Sequence, residues 1–159
     1  MDLLLELGTL AFASRLKRLS DLGMQSTLDV YRFYNVDFEP RFFPLFYYLS
    51  QKGEASIMEL AENLNVSHPA IIQIAKDLEK KGFIISKKSA EDARKRNLKL
   101  SKKGKILLPI LQKIWAEIRA MNDEIIETRE HNIMIAIKEI EDVWAEKNYL
   151  ERFKEFHKL

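Results

Sequence analysis

The chain has 159 residues, 47% hydrophobic and 31% charged, with a formal net charge of +2 and no cysteine. That length suffices for one domain with a real core, and the missing cysteine excludes disulfides, thiolate nucleophiles, thiol redox sensing and cysteine–zinc sites. No apolar run reaches the roughly 18 residues of a membrane span, and the acids in the leading Met-Asp-Leu-Leu-Leu-Glu-Leu make a poor signal peptide, so a cytoplasmic location is expected.

Five glycines and four prolines leave room for long helices. Leu3, Leu7 and Leu10, with Phe12, Leu16 and Leu19 beside them, predict a helix from Leu3 to about Leu22, stopped at Gly23. Residues 26–38 read as irregular and aromatic-rich, with room for a short helix after Ser26. Glu39-Pro40 opens a helix over about 41–51, ended by Lys52-Gly53. Ser56-Ile-Met-Glu59 has the pattern of a capping box and starts a helix to about Leu64. Asn65 suits a tight turn because asparagine tolerates a left-handed backbone. Ser67 or His68 caps the next helix, with Pro69 in its first turn, and Gly82 closes it after about Lys81. Phe83 to Lys88 and Asn97 to Ser101 pair as strands, with Leu98 and Leu100 facing inward. After Gly104 a long helical pattern follows through Leu107, Leu111, Ile114, Ile118, Met121 and Ile125. A last pattern takes in Ile133, Ile137, Ile140 and Trp144, then Leu150 and Phe153, with breaks expected near 128–132 or Asn148.

Charge is unevenly spread. Residues 76–105 hold twelve Lys/Arg against four Asp/Glu, an excess of +8 that the rest of the chain offsets with −6. Concentrated positive charge is the footprint of a phosphate-binding surface, although a solvated lysine face gives the same count. On the helix after Ser67, Ile71, Ile74, Ala75 and Leu78 share one face. Pro69, Gln73, Lys76 and Lys80 share the other. In a helix-turn-helix that second face enters the major groove. Gln73 suits base edges, adenine best, and Lys76 suits phosphate or guanine. Ser67 and His68 stand at the helix N-terminus, where free N–H groups favour phosphate. The following hairpin offers Arg94, Lys95 and Arg96, flanked by Lys87, Lys88 and Lys99. Arginine is favoured in a narrow minor groove, and Asp92 is spaced to brace it.

Residues 56–104 resemble the winged helix-turn-helix of the multiple-antibiotic-resistance regulator (MarR) family. The matching pieces are Ser56-Ile-Met-Glu-Leu-Ala61, Val66-Ser67-His-Pro-Ala, Leu78-Glu-Lys-Lys-Gly82-Phe-Ile and Asp92-x-Arg94-x-x-x-Leu98-x-Leu100-Ser101-x-x-Gly104. The last is the family's wing pattern. The stretch from Phe38 to Phe46 resembles a subgroup whose relatives often carry a C-terminal acetyltransferase domain. The resemblance implies a homodimeric transcription regulator on pseudo-palindromic double-stranded DNA. It implies Asp92 as the wing brace, Arg94 as the minor-groove arginine and Arg96 as a second candidate. Ser67, His68, Pro69 and Gln73 fall at its recognition-helix contact positions. Lys95 departs from it, standing where many relatives have an acid or a small polar residue.

The expected fold is therefore mainly α with a small β-wing. It is a winged helix-turn-helix with long N- and C-terminal dimerisation helices. Residues 1–38 form N-terminal dimerisation and linker helices, 39–104 the DNA-binding lobe, and 105–159 the C-terminal dimerisation helices. Two subunits burying each other's terminal helices explain apolar faces that a fifty-residue winged helix cannot cover.

Of sixteen aromatic residues, nine lie between Tyr31 and Tyr48. Two readings stay open for them. They pack as a hub between lobes, or they wall a pocket for a small aromatic effector, with Tyr31, Tyr34, Phe38, Arg41, Phe42, Phe46 and Tyr47 as its lining. No catalytic motif, metal-ligand spacing or cofactor loop is present, so neither an enzyme nor a cofactor is expected. The rival reading is a winged-helix protein-interaction or regulatory module without sequence-specific DNA binding. A DNA-binding chromosomal protein indifferent to sequence is a third.

Overall fold

The computed structural model describes residues 2–88 and 96–158. Helix α1 (Leu3–Glu6) is capped by Asp2, which accepts from the Leu4 N–H at 3.1 Å and pairs with Arg18 at 2.7 Å. A 3-10 turn over Gly8–Ala11 separates it from α2 (Phe12–Phe33). Gly8 takes φ +54°, a left-handed conformation open to glycine, so the interruption falls there and not at Gly23. Helix α2 passes through Gly23 and absorbs residues 26–33, which the sequence had suggested were irregular. A mid-helix glycine costs only about 1 kcal/mol against alanine. Side-chain bonds span that region: Ser26 donates to the Leu22 carbonyl at 2.8 Å and Thr27 to that of Gly23 at 2.9 Å.

A 3-10 turn over Pro40–Phe42 leads into α3 (Phe43–Lys52), and β1 (Glu54–Ser56) follows directly. In α4 (Ile57–Leu64) the Ser56 hydroxyl accepts from the Glu59 N–H at 3.1 Å. Only this half of the expected capping box is seen; the Glu59 carboxylate instead accepts from the Tyr48 hydroxyl at 2.8 Å, tying α4 to α3. Asn65 turns the chain at φ +50°, and α5 (His68–Lys80) begins three residues later.

Strands β2 (Ile84–Lys88) and β3 (Arg96–Leu100) form an antiparallel ribbon, with Ile84 opposite Leu100 and Lys88 opposite Arg96. Strand β1 pairs on the other side of β3, Ala55 opposite Leu98, giving the order β1-β3-β2. Alternation then sends Leu98 and Leu100 into the core, 2% and 6% exposed. Three helices complete the chain: α6 (Lys102–Glu127), α7 (Ile133–Glu146) and α8 (Tyr149–Phe156), so the chain breaks at both of the places that the sequence offered as alternatives.

The chain divides into two compact units, Met1–Ile114 and Trp115–Leu159. The first has a core of Leu45, Phe46, Leu49, Leu60, Ile71, Leu78, Ile84, Leu111 and Ile114, all buried. Phe38 centres an aromatic hub, with the rings of Tyr31, Phe42, Phe46 and Phe83 at 5.3, 5.6, 5.3 and 6.2 Å. Those rings come from α2, α3 and its approach, and the turn after α5, so one side chain joins the N-terminal helix to the elements around α3 and α5.

The start of α6 is fixed at Ser101 and Gly104. The Ser101 hydroxyl donates to the Gly82 carbonyl at 2.6 Å and accepts from the Gly104 N–H at 3.0 Å. A Cβ on Gly104 would stand 2.1 Å from the Phe83 carbonyl oxygen, so only glycine admits this approach. In the second unit no described residue is fully buried. Asn132 caps α7, and Asn148 with Glu151 forms a complete capping box on α8.

Candidate nucleic-acid interface

Helix α5 is held by Ile71, Ala75 and Leu78, buried against the core. Its opposite face presents Ser67, His68, Pro69, Gln73 and Lys76 to the exterior. The Ser67 side chain makes no cap bond. First-turn N–H groups are thereby left to face outward, the arrangement that favours an anion at a helix N-terminus.

Between this helix and the β-ribbon lies a cleft of about 460 Å³. Ile57, Met58, Ile72, Ala75 and Leu98 form its apolar walls. His68 and Lys76 reach it from α5, Ser86 from β2 and Arg96 from β3, with Glu79 as the single acid among the described lining residues. Residues nearly thirty positions apart in the chain thus meet on one surface that joins cations to apolar side chains.

The ribbon's other face carries a second pair of cations. Lys87 and Lys99 lie close enough that the Lys87 ammonium, followed by desolvation, holds the Lys99 amine below the usual lysine range, while Glu54 pulls the opposite way. Glu54 itself accepts from Asn97 at 2.8 Å. Two crowded ammonium groups are relieved by a phosphate between them. Lys88 ends β2. Asp92, Arg94 and Lys95 lie outside the described residues.

Not every cation of the basic run serves this surface. Lys81 donates to Asp37 at 2.5 Å and lies 3.9 Å from Glu39. Lys103 donates to the Lys81 carbonyl at 2.8 Å and sits 4.8 Å from the Phe83 ring centre. Both hold the fold together, which a charge count along the sequence does not distinguish.

A chain of polar contacts reaches α5 from the aromatic segment. The Arg41 Nε donates to Glu39 at 2.8 Å, and its Nη1 donates to the Asp77 carboxylate at 2.8 Å. Asp77 in turn accepts from the Gln73 Nε2 at 3.2 Å on each oxygen. Its carboxyl is held below the usual range, first by the Gln73 amide and next by Arg41. Asp77 went unremarked in the sequence, although Gln73 and Asp77 stand four apart on one helix face, a spacing that pairs side chains.

Of the residues considered for an effector pocket, Tyr31, Phe38, Phe42 and Phe46 are buried in the hub. Arg41 and Tyr47 are exposed and Tyr34 is half-buried. None of the seven lines the cleft beside α5. Among the described residues no helix is long and apolar enough to cross a membrane.

The profile of the MarR family matches residues 43–95, from the start of α3 to the residue before β3. No curated protein matches the chain. Among solved structures, the regulator BldR from Sulfolobus solfataricus is similar at 16% identity and TM-score 0.64, covering 89% of this chain and 97% of its own. The M. tuberculosis regulator MosR, solved in complex with DNA, is similar at 17% identity and TM-score 0.66, covering 82% and 91%. NadR, solved with 4-hydroxyphenylacetate, is similar at 24% identity and TM-score 0.55, covering 86% and 91%. The fold is the mainly helical winged helix-turn-helix of these regulators, with its small three-stranded antiparallel sheet.

Proposed function

We propose that this chain is a MarR-family transcription regulator that binds pseudo-palindromic DNA as a homodimer. One observation carries the reading: His68 and Lys76 of α5 and Arg96 of β3 converge on one surface, with Gln73 exposed on the same helix. Helix α5 would enter the major groove and the ribbon would follow the backbone into the minor groove, with Arg94 as the minor-groove arginine and Asp92 as its brace, the roles that the family resemblance implies. The DNA complex of the similar MosR supports a nucleic-acid partner for this fold.

The apolar surface supports the dimer. Leu3, Leu5, Leu10, Leu19, Leu22 and Phe33 are exposed on the N-terminal helices. Ile135, Tyr149, Leu150, Phe153 and Phe156 are exposed near the C-terminus. Large apolar side chains left exposed on helices mark association surfaces, and a two-fold axis lets each copy cover the other's.

For the effector, we infer a small aromatic anion acting at the accessible members of the aromatic segment, Tyr34, Arg41 and Tyr47. The 4-hydroxyphenylacetate complex of NadR supports that ligand class. Salicylate-like compounds should shift melting temperature or DNA affinity, and a titration that moves neither contradicts the inference.

DNA titration at several salt concentrations tests the main reading. Affinity should fall steeply with salt as counterions are released. Arg94→Ala should weaken binding by about 1–3 kcal/mol, and Lys76→Ala should weaken it evenly across sequences and flatten the salt slope. Binding by both variants that matches the wild type overturns the wing-and-helix reading and favours the protein-interaction alternative.

A further inference from the structure

Gln73 is the one uncharged amide on the outward face of α5, and its orientation is set by a neighbour. An ionised carboxylate can only accept hydrogen bonds. Asp77 therefore requires that the nitrogen of the Gln73 amide, not its oxygen, face it, as the contacts of 3.2 Å to both carboxylate oxygens show. Asp77 is itself anchored. Arg41 donates to it at 2.8 Å, Glu39 holds Arg41 from the other side at 2.8 Å, and the Arg41 guanidinium lies 4.8 Å from the ring centre of the buried Phe42. The amide is thus braced from the hub outward.

With its nitrogen committed to Asp77, the amide turns its oxygen away from the carboxylate. An outward acceptor needs a donor. In the major groove, adenine N6 and cytosine N4 are donors, whereas guanine and thymine offer acceptors at O6, N7 and O4.

We propose that Asp77 is a positioning residue that orients the Gln73 amide so that its oxygen selects adenine or cytosine at one position of each half-site. The proposal rests on the regulator reading above and names a specificity determinant within it. Asp77 touches no base in this account; it acts only through Gln73.

The test uses the full-length protein and four duplexes differing only at the base pair whose preference disappears in Gln73→Ala. Wild type should favour adenine or cytosine there on the order of tenfold. Asp77→Asn presents both a donor and an acceptor, so the Gln73 amide can settle either way round. The preference should drop to about twofold or less, with preferences at other positions unchanged. Asp77→Glu keeps an acceptor-only partner and should retain the preference. Preference that survives Asp77→Asn, that is lost equally in Asp77→Glu, or that favours guanine or thymine in the wild type overturns the proposal. So does an equal loss at every position, which marks a general structural effect. Absence of any base preference in the wild type removes the regulator reading as well, whereas a consensus untouched by Asp77→Asn removes this proposal alone.

Discussion

Gly104 shows how a single position can be demanded by packing. Its Cα faces the Phe83 carbonyl so closely that a methyl group would stand 2.1 Å from that oxygen. Gly104→Ala must shift the turn or the start of α6, and a loss of about 1–3 kcal/mol is expected from overpacking, read as a lower urea midpoint. An unchanged midpoint would mean that the turn yields freely. Asp77 makes a different prediction, in pH. Its native carboxyl is held down by Gln73 and then Arg41, and that of Asp2 by Arg18. A depressed native pKa contributes stability above the unfolded value, about 4, and that stability is lost as pH falls through the native one. Stability should therefore decline in acid below about pH 4, less so in Asp77→Asn than in the wild type; equal acid sensitivity contradicts the pairing. Residue-scale features were legible where they depend on local geometry. Asn65 was expected at a left-handed turn and takes φ +50°. The Arg41–Asp77 contact joins residues 36 apart and has no local signature.

Elements follow the same division. Helices α4 and α5 lie within a residue or so of their expected bounds, because each has its own cap, apolar face and terminating turn. Strand β1 was missed. Three residues between Gly53 and a helix carry no periodicity, and they become a strand only because β3 supplies the ladder. Gly23 misled in the opposite direction, since one glycine does not outweigh the helical preference of both flanks. The aromatic segment admitted two readings because burial is not written in composition. Its rings meet at Phe38, which joins elements distant in sequence. Phe38→Ala should cost about 3–5 kcal/mol, the range for a buried phenylalanine, measured by denaturant unfolding; a loss below 1 kcal/mol would show that the hub collapses to fill the gap.

At the scale of the molecule, the two ends of the chain are apolar and exposed, while the centre is buried and basic on its outer face. A single copy leaves Leu150, Phe153 and Phe156 in water. Sedimentation should therefore find twice the 18.7 kDa chain mass. Leu150→Glu with Phe153→Glu should shift it toward one chain, and a monomeric wild type contradicts the dimer. The surface around α5 was largely legible in the sequence, since helical spacing alone sorts Gln73 and Lys76 from Ile71 and Leu78. The roles of Lys81 and Lys103 were not, because their partners come from elsewhere in the fold. Selection of bound duplexes from a random DNA library, using the wild-type protein, tests the whole account most directly. A palindromic consensus with half-site centres about 10 base pairs apart, or a multiple of that, is expected; recovery of unselected, random sequence would overturn the regulator reading.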